Sequence, residues 1–428
     1  MSPEHRHPGG SRDPAAARGP LAWLLLLLCL LGPAMPLRAQ PLLPAPAGSG
    51  DNLEISVLTF GPGEIYWERF GHNAILVRDR AAGSAIAYNY GVFDFRQKNF
   101  FLNFARGRMV YRIAADPLER DLDLYRYEGR WVQEQKLNLE PAQRAALRDF
   151  LEWNLRPENR NYGYDYFISN CSTKVRDALD RVLGGRLDAQ LQAQATPYSY
   201  RFDAVRLIAP DFIAGIGMDV ALGPTADLPQ SGLQRSFVPM VLMQQLRQVR
   251  ITDAQGHEQP LVREDTRLVE AQIPDDPPQP PDWRLPFLLA GLGIGALLLL
   301  LAAQRRRRAA RLGFAVLAAA WSLLCGVCGL LLLAIWFLTQ HWAGWHNENL
   351  LLLDPLCLLL LPAAAASARA GWKPGAWALR LAWIVAALAA FSLLLRLVPG
   401  CHQANLPWIL LLLPPHLALL HGLRQRRA

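Results

Sequence analysis

Cys171 is the residue whose surroundings point most directly to covalent chemistry. It closes the run YDYFISNC and is followed by apolar residues at helical spacing, from Val175 to Leu183, before Gly184. This pattern predicts a helix that begins at Cys171. The free amides and the positive dipole end at such a position favour a thiolate and can bind the oxyanion of a tetrahedral intermediate. A buried structural cysteine is the alternative interpretation.

A thiol nucleophile needs a base, and the polar central part of the chain offers two histidines. His257 lies in the polar stretch 253–259, which is typical of a surface loop. His72 directly follows a glycine and opens an apolar run, so its ring can project from the end of a strand. We therefore predict that His72 is the base. Asn89, on the next predicted strand, is the first candidate to orient the imidazole, and Asp94 is the second.

The spacing of apolar residues also predicts the strands and helices that position Cys171, His72 and Asn89. Alternating apolar residues bounded by turn residues indicate five strands, and Pro141 opens an amphipathic helix. The predicted strands cover residues 53–60, 72–77, 85–90, 109–114 and 131–137, and the helix covers 141–155. An α+β domain with Cys171 at a helix start follows from this order.

The N-terminus has the features of a secretory signal. Three arginines precede an apolar run of eleven residues, 21–31, which is too short to span a bilayer comfortably. An uncleaved anchor is the alternative. An exported domain normally pairs its cysteines, yet Cys171 is the single cysteine between residues 51 and 283. A reactive role for Cys171 is favoured for that reason.

The second half of the chain predicts a multi-pass membrane domain. Five apolar segments approach the length that a spanning helix needs: Leu285–Ala303, Gly313–Leu338, Leu350–Ala368, Ala376–Val398 and Leu406–Leu423. The basic residues between them fall on one side, which should be cytoplasmic, and the central domain should face outward. The net charge of +8 comes largely from these basic clusters, so nucleic acid is not expected as a partner.

A polar loop joins the second and third predicted spans. It runs from His341 to Asn349 and contains His346 and Asn347. Polar groups at a membrane boundary are often functional, so we predict that His341, His346, Asn347 and Asn349 bind a lipid substrate. The alternative is an aromatic interface belt with a helix cap at Asn347 or Asn349.

Several of these motifs resemble one family. The runs ERFGHNAILVRD, AYNYGVFDF, NFARGRMVYRI, YDYFISNCSTKVRDAL and HWAGWHNENLLLLDPL are similar to the Lnb family, which joins a periplasmic domain to a small transmembrane domain. The order of histidine, polar residue and Asn-Cys also resembles permuted papain-like folds of the NlpC and lecithin:retinol acyltransferase type. The resemblance implies N-acylation of a lipoprotein with a phospholipid as donor, a thioester on Cys171 and His72 as base. The polar loop departs from the family pattern by carrying two histidines.

The prediction for the whole chain is an α+β permuted papain-like periplasmic domain followed by an all-α five-helix transmembrane domain. The predicted parts are a signal peptide (1–39), a linker (40–50), the papain-like thiol acyltransferase domain (51–245), a second linker (246–284) and the transmembrane domain (285–424). The predicted location is the inner membrane, and no cofactor or metal is expected. The alternatives are a periplasmic cysteine amidase or peptidase acting on peptidoglycan, and a non-enzymatic membrane scaffold.

Overall fold

The computed structural model describes residues 49–398, 400 and 403–425. The predicted signal peptide and most of the first linker lie outside this part of the chain. The domain after it is built on a seven-stranded antiparallel sheet with the order β6-β4-β3-β2-β1-β5-β9. The strands are β1 (Leu53–Phe60), β2 (His72–Asp79), β3 (Ser84–Val92), β4 (Met109–Pro117), β5 (Val132–Leu137), β6 (Asn161–Tyr164), β7 (Arg250–Thr252), β8 (Glu258–Pro260) and β9 (Val262–Val269).

Helices surround this sheet. Those of the first domain are α1 (Phe100–Ala105), α2 (Leu118–Tyr127), α3 (Pro141–Leu155), α4 (Cys171–Leu183), α5 (Arg186–Gln192), α6 (Tyr200–Ile208), α7 (Phe212–Ala221), α8 (Gly232–Arg235) and α9 (Pro239–Leu246). The predicted helix 141–155 has the observed bounds of α3, and the helix predicted at Cys171 is α4. Both begin with a capping box, formed by Glu140 with Gln143 and by Asn170 with Thr173.

The two faces of the sheet have separate cores because side chains alternate along each strand. On one face, Ile55 and Ile75 belong to a cluster with Leu151 of α3 and Leu179 of α4. On the other, Phe60 belongs to a cluster with residues of α2. The functional side chains are therefore set on a sheet that is covered on both sides.

The segment 246–284, which the sequence predicts to be a linker, contains three strands. β9 pairs with β5 at the edge of the main sheet. Its sequence VREDTRLV carries charged side chains that are mostly exposed, so the apolar alternation that marks a strand is missing. The prediction of a linker is therefore wrong for the strands up to Val269 and stays a prediction for the residues after it.

The C-terminal part is a helical membrane domain. Within the described residues, four helices are long and apolar enough to cross a bilayer: α10 (Arg284–Ala303), α11 (Arg308–Leu338), α13 (Ala376–Leu395) and α14 (Leu406–Arg424). Helices α10 and α14 approach closely at Gly291, where a Cβ atom would lie 2.5 Å from the carbonyl oxygen of Leu410. Small residues at this contact allow the two backbones to pack together.

The predicted third span, Leu350–Ala368, is not one continuous helix. Two 3-10 segments, Glu348–Leu351 and Pro355–Leu360, lead to the short helix α12 (Leu361–Ala366). A bend of 42° separates Trp342–Leu351 from Pro355–Ala366, and the pair counts as a fifth span if taken together. Pro355 lacks an amide hydrogen, and the Asp354 carboxylate accepts a bond from the Leu356 amide, so a new segment starts there.

Candidate active site

Cys171 is the first residue of α4, and its position is fixed by its neighbours. The side-chain oxygen of Asn170 accepts a hydrogen bond from the Thr173 amide at 3.0 Å, and the Thr173 hydroxyl accepts one from the Asn170 amide at 2.8 Å. The Asn170 side chain also donates to the carbonyl of Phe237 at 2.9 Å, and Ser172 donates to the carbonyl of Ser236 at 2.6 Å. The motif Asn-Cys-Ser-Thr therefore both starts the helix and ties it to the chain before α9.

The backbone N–H groups of Asn73, Ser172 and Cys171 itself are near enough to the Cys171 sulfur to stabilise a negative charge on it. They favour the thiolate, yet burial is the largest influence and raises the pKa of the Cys171 thiol above its usual value. The thiolate that the helix start predicts is therefore not the resting form, because loss of solvent outweighs the helix amides. Those amides remain available for a negative charge that develops during a reaction.

His72 lies at the start of β2, and its ring stacks on Phe60 with 5.6 Å between centroids. Its Nε2 atom is 3.0 Å from the side-chain oxygen of Asn89, and the Asn89 side-chain nitrogen donates to Asp121 at 3.0 Å. Since the amide nitrogen is bound to Asp121, the oxygen faces the ring and accepts the Nε2 proton. The other ring nitrogen, Nδ1, is then the basic one.

The pKa of His72 is lowered to about 4, first by burial and then by the nearby Arg130 guanidinium, against the opposing effect of Asn89. With the pKa of Cys171 raised, both groups are neutral near neutral pH. The site therefore holds a thiol and a neutral imidazole before reaction, and proton transfer between them belongs to the reaction itself.

Cys171 and His72 share their surroundings. Helix α4 packs against β2 and β3, the strands that carry His72 and Asn89. The Asn73 amide that reaches the sulfur is that of the next residue after His72, and Arg130 acts electrostatically on both groups. Gly91, with a φ of +91°, lies so close that a Cβ there would be 3.5 Å from the Cβ of Cys171. His72 and Cys171 thus lie in one neighbourhood of the fold, although no direct contact between the two is among those described; their pairing stays a prediction.

Asp94 and Asp121 differ from the sequence expectation. Asp94, the second candidate to orient the histidine, pairs with the exposed Arg96 and has no bond to His72 among the described contacts.

Asp121 lies in α2, which covers the face of the sheet opposite α4, and its burial raises the pKa of its carboxyl. The run LERDLDLYRY contains three acidic residues. The helical period places Asp121 on the same face as Leu118 and Leu122, and this is the one sequence feature that predicts its burial.

The polar loop contacts the segment that precedes the nucleophile. The indole nitrogen of Trp342 donates to the Asp165 carboxylate at 2.8 Å, six residues before Cys171. His341 stacks on Tyr166, and its Nε2 lies 3.1 Å from the carbonyl oxygen of Phe104. His346 is exposed, its ring centroid lies 4.7 Å from that of Trp336, and its φ is 56°. His341 is therefore the loop histidine that contacts the segment before Cys171, and the described contacts of His346 do not include that segment.

Asn347 and Asn349 are buried, and their side chains are bonded within the protein. The Asn347 amide donates to the carbonyls of Val220 and Ala221 at the end of α7, at 2.9 and 3.0 Å. The Asn349 amide also donates to Val220, at 3.1 Å. Lipid binding by these two residues stays a prediction that their contacts do not support, because their donors are occupied by the first domain.

These asparagines belong to a network that the sequence pattern does not predict, here called the docking network. Arg201 forms ion pairs with Asp219 (2.9 Å) and Asp227 (2.7 Å). Trp408 of α14 donates to Asp219 at 2.8 Å. The network consists of Arg201, Asp219, Asp227, Asn347, Asn349, Gln403 and Trp408. It joins the first domain to loops without Lys or Arg, so that domain lies on the predicted outer side.

The fold and site define a multi-pass membrane protein whose external α/β domain has Cys171 at a helix start and His72 and Asn89 on the strands against which that helix packs. Two family models match the chain: the Lnb N-terminal periplasmic domain over residues 47–210 and the Lnb transmembrane domain over residues 281–423. The chain belongs to the Lnb family. Neither match includes 211–280, where Asp219, Asp227 and β9 lie. No curated protein and no solved structure matches the chain.

Proposed function

We propose that this protein is a lipoprotein N-acyltransferase of the inner membrane, which moves an acyl chain from a phospholipid to a lipoprotein through a thioester on Cys171. Its family suggests an enzyme of lipoprotein processing. The observation that carries the proposal is the hydrogen-bonded series His72, Asn89 and Asp121, in which His72 and Asn89 lie on the two strands that pack against the helix begun by Cys171. The strand histidine and helix-start cysteine also support a permuted papain-like interpretation of the domain.

The first half-reaction forms the thioester. His72 Nδ1 takes the proton of the Cys171 thiol while the sulfur attacks the ester carbonyl of the phospholipid. The amides of Asn73 and Cys171 hold the oxyanion of the tetrahedral intermediate. As the intermediate collapses, the carbon–oxygen ester bond breaks and the imidazolium returns its proton to the leaving alkoxide. The products are acyl-Cys171 and a lysophospholipid.

The second half-reaction releases the chain. The amine of the lipoprotein's N-terminal cysteine attacks the thioester, and His72 takes a proton from that amine. When the carbon–sulfur bond breaks, the imidazolium protonates the sulfur, which restores the thiol of Cys171 and the neutral His72. An amide bond to the lipoprotein has replaced the thioester, and no further reactant is required.

The attachment of the domain supports a substrate that resides in the membrane. The docking network is buried and contains charge-assisted bonds, which are costly to break. It holds the first domain against the outer ends of the membrane helices. A water-soluble substrate such as a peptidoglycan fragment could reach a domain that is not fixed to the membrane. The ester of a phospholipid lies at the headgroup level, so an enzyme that uses it needs its active site close to the membrane.

Mass spectrometry of the intact protein after incubation with phospholipid tests the proposal. We expect a hydroxylamine-labile acyl adduct on Cys171, and its transfer to the amine of an added diacylated lipoprotein. Cys171→Ser should abolish the adduct and the transfer, while the matched variant Cys328→Ser keeps both. Full transfer activity in Cys171→Ser, or a wild type that never acquires the acyl group, would show that the mechanism is wrong.

A further inference from the structure

Helix α1 has an unusual composition for its surroundings. Its sequence FFLNFA contains three phenylalanines and a leucine, yet none of its residues is buried. Phe101 is 74% exposed, and Phe95, in the loop before the helix, is 57% exposed. Exposing this much apolar surface to water costs free energy, and such patches mark interaction surfaces. We therefore expect this face of the domain to be covered by a partner or by an apolar phase.

The exposed aromatic side chains form one continuous surface. Phe95 contacts Phe100 and Phe101 with 5.1 and 6.4 Å between ring centroids, and Phe100 contacts Phe104 at 6.5 Å. We call this surface the aromatic wedge; it consists of Phe95, Phe100, Phe101, Leu102 and Phe104. The wedge is one apolar face rather than a set of scattered side chains.

The wedge lies at the level where a membrane helix ends. The Gln340 amide donates to the carbonyl of Arg106 at 2.8 Å, directly after α1. His341 bonds to the carbonyl of Phe104 at 3.1 Å. Gln340 follows closely on Leu338, the last residue of α11, whose side chain is exposed. The wedge is therefore attached to the outer end of a spanning helix, where the bilayer itself is the neighbouring apolar phase.

The charges around the wedge suit lipid headgroups. Arg96, Lys98, Arg106 and Arg108 precede, flank or follow α1, and all four are exposed. Arg96 also pairs with Asp94. Basic side chains next to exposed aromatic residues are typical of protein surfaces that lie in the headgroup region, because phosphates are anionic and aromatic rings favour the boundary.

Aromatic rings also join the wedge to the active site. Phe93 contacts Phe95 and Tyr111, and Tyr111 stacks on Tyr164 at 4.2 Å. Gly91, two residues before Phe93, lies next to the thiol-bearing residue, because a Cβ there would be 3.5 Å from the Cβ of Cys171 and 4.0 Å from the hydroxyl of Tyr162. The rings thus give an acyl chain an apolar route from the wedge toward Cys171.

We propose that the aromatic wedge inserts into the outer leaflet of the bilayer and that a phospholipid acyl chain passes along it to Cys171. Insertion follows from the exposure, position and charge of the wedge and does not need the acyltransferase reaction. The passage of the chain rests on the proposed function. The occupant of the surface is lipid of the protein's own membrane.

Photocrosslinking of the full chain in nanodiscs of phosphatidylethanolamine and phosphatidylglycerol tests insertion. The photoreactive p-benzoylphenylalanine replaces Phe101, or replaces Tyr127 as the matched control, since Tyr127 is an aromatic residue of α2 that is 91% exposed. We expect a phospholipid mass adduct at position 101 and none at 127. Equal crosslinking at both positions, crosslinking of 101 to a second copy or to an added lipoprotein, or no lipid adduct would overturn the insertion.

Kinetics test the passage of the chain. Phe95→Ser combined with Phe101→Ser should slow acylation of Cys171 by bilayer phospholipid about tenfold or more, because apolar contact with the chain is lost. Alkylation of Cys171 by iodoacetamide should be unchanged, which shows that the variant is folded, and Tyr127→Ser should match the wild type in both assays. An unchanged phospholipid rate refutes the route. If the wild type itself never acylates, the proposed function fails while the crosslinking result still decides insertion.

Discussion

The carboxylate of Asp121 accepts a hydrogen bond from the side-chain amide of Asn89, with 3.0 Å between Oδ2 and Nδ2. The amide oxygen of Asn89 is thereby turned toward His72, 3.0 Å from Nε2. With the proton of His72 on Nε2, Nδ1 is the ring nitrogen that would act as the proposed base. We therefore propose that Asp121 is a positioning residue, which acts on His72 through Asn89.

Asp121→Ala should reduce the first-order rate of Cys171 acylation by up to about a hundredfold, because the Asn89 amide loses the bond that fixes its orientation. Single-turnover measurements over a range of phospholipid concentrations should show a lower maximal rate at an unchanged half-saturating concentration. Asp121→Asn retains a side-chain oxygen that can accept the bond and should recover most of the rate. Asp123→Ala, on the same helix but exposed, is the control, and equal rates in Asp121→Ala and Asp123→Ala would contradict the role.

His72→Ala should lower the acylation rate by about two to four orders of magnitude, the usual contribution of a general base. Alkylation of Cys171 by iodoacetamide near neutral pH should also slow, because the buried thiol has lost the group that takes its proton. His257→Ala changes a histidine that is exposed and should behave as the wild type. If thiol reactivity and turnover survive in a folded His72→Ala protein, the pairing of His72 with Cys171 is wrong.

The pH dependence of acylation follows from the lowered pKa of His72. A histidine with its ordinary pKa of about 6.5 would lose the neutral form on mild acidification. Since the pKa of His72 is about 4, the base stays neutral in mild acid, and the raised pKa of Cys171 keeps the thiol protonated. We expect a nearly constant single-turnover rate from about pH 5 to about pH 8 and a decline only near pH 4. An acid midpoint near 6.5 would contradict the burial of the imidazole.

The residues that the sequence reveals best are those whose role is local. The helix at Cys171 can be predicted because Asn170, the apolar spacing after Val175 and Gly184 are all short-range signals. His72 and Asn89 follow from the two adjacent strands, which pair in an antiparallel register. Strands that are consecutive in sequence usually pair with each other, so the proximity of His72 and Asn89 can also be predicted from local sequence.

The residues that the sequence does not reveal depend on distant partners. Asp121 reaches the site because α2 folds back over the sheet, and the charged strand β9 is held by pairing with β5. Asn347 is visible as a polar residue at a membrane boundary, but its partner Val220 lies more than a hundred residues away. A polar residue that binds substrate and one that bonds to a buried carbonyl have the same local sequence, so geometry is needed to separate them.

The last prediction concerns Asn347, whose amide donates to the carbonyls of Val220 and Ala221 and whose oxygen accepts from Gln403. Asn347→Ala leaves these buried groups without their partner, which costs about 1–3 kcal/mol for each unsatisfied group. We expect a lower melting temperature and faster proteolysis between the two domains. Asn52→Ala changes an exposed asparagine of the first domain and should leave both measurements unchanged.

The activity of the same variant separates the docking role from lipid binding. If Asn347 holds the domains together, phospholipid acylation should fall in parallel with the amount of folded protein, and alkylation of the remaining folded protein at Cys171 should be normal. If Asn347 binds lipid, the variant should melt like the wild type and fail only on phospholipid. We expect the first result, because the amide is buried and donates to two carbonyls at the end of α7. The second result would show that Asn347 binds lipid, and the polar loop would then have to open during the reaction to release its side chain.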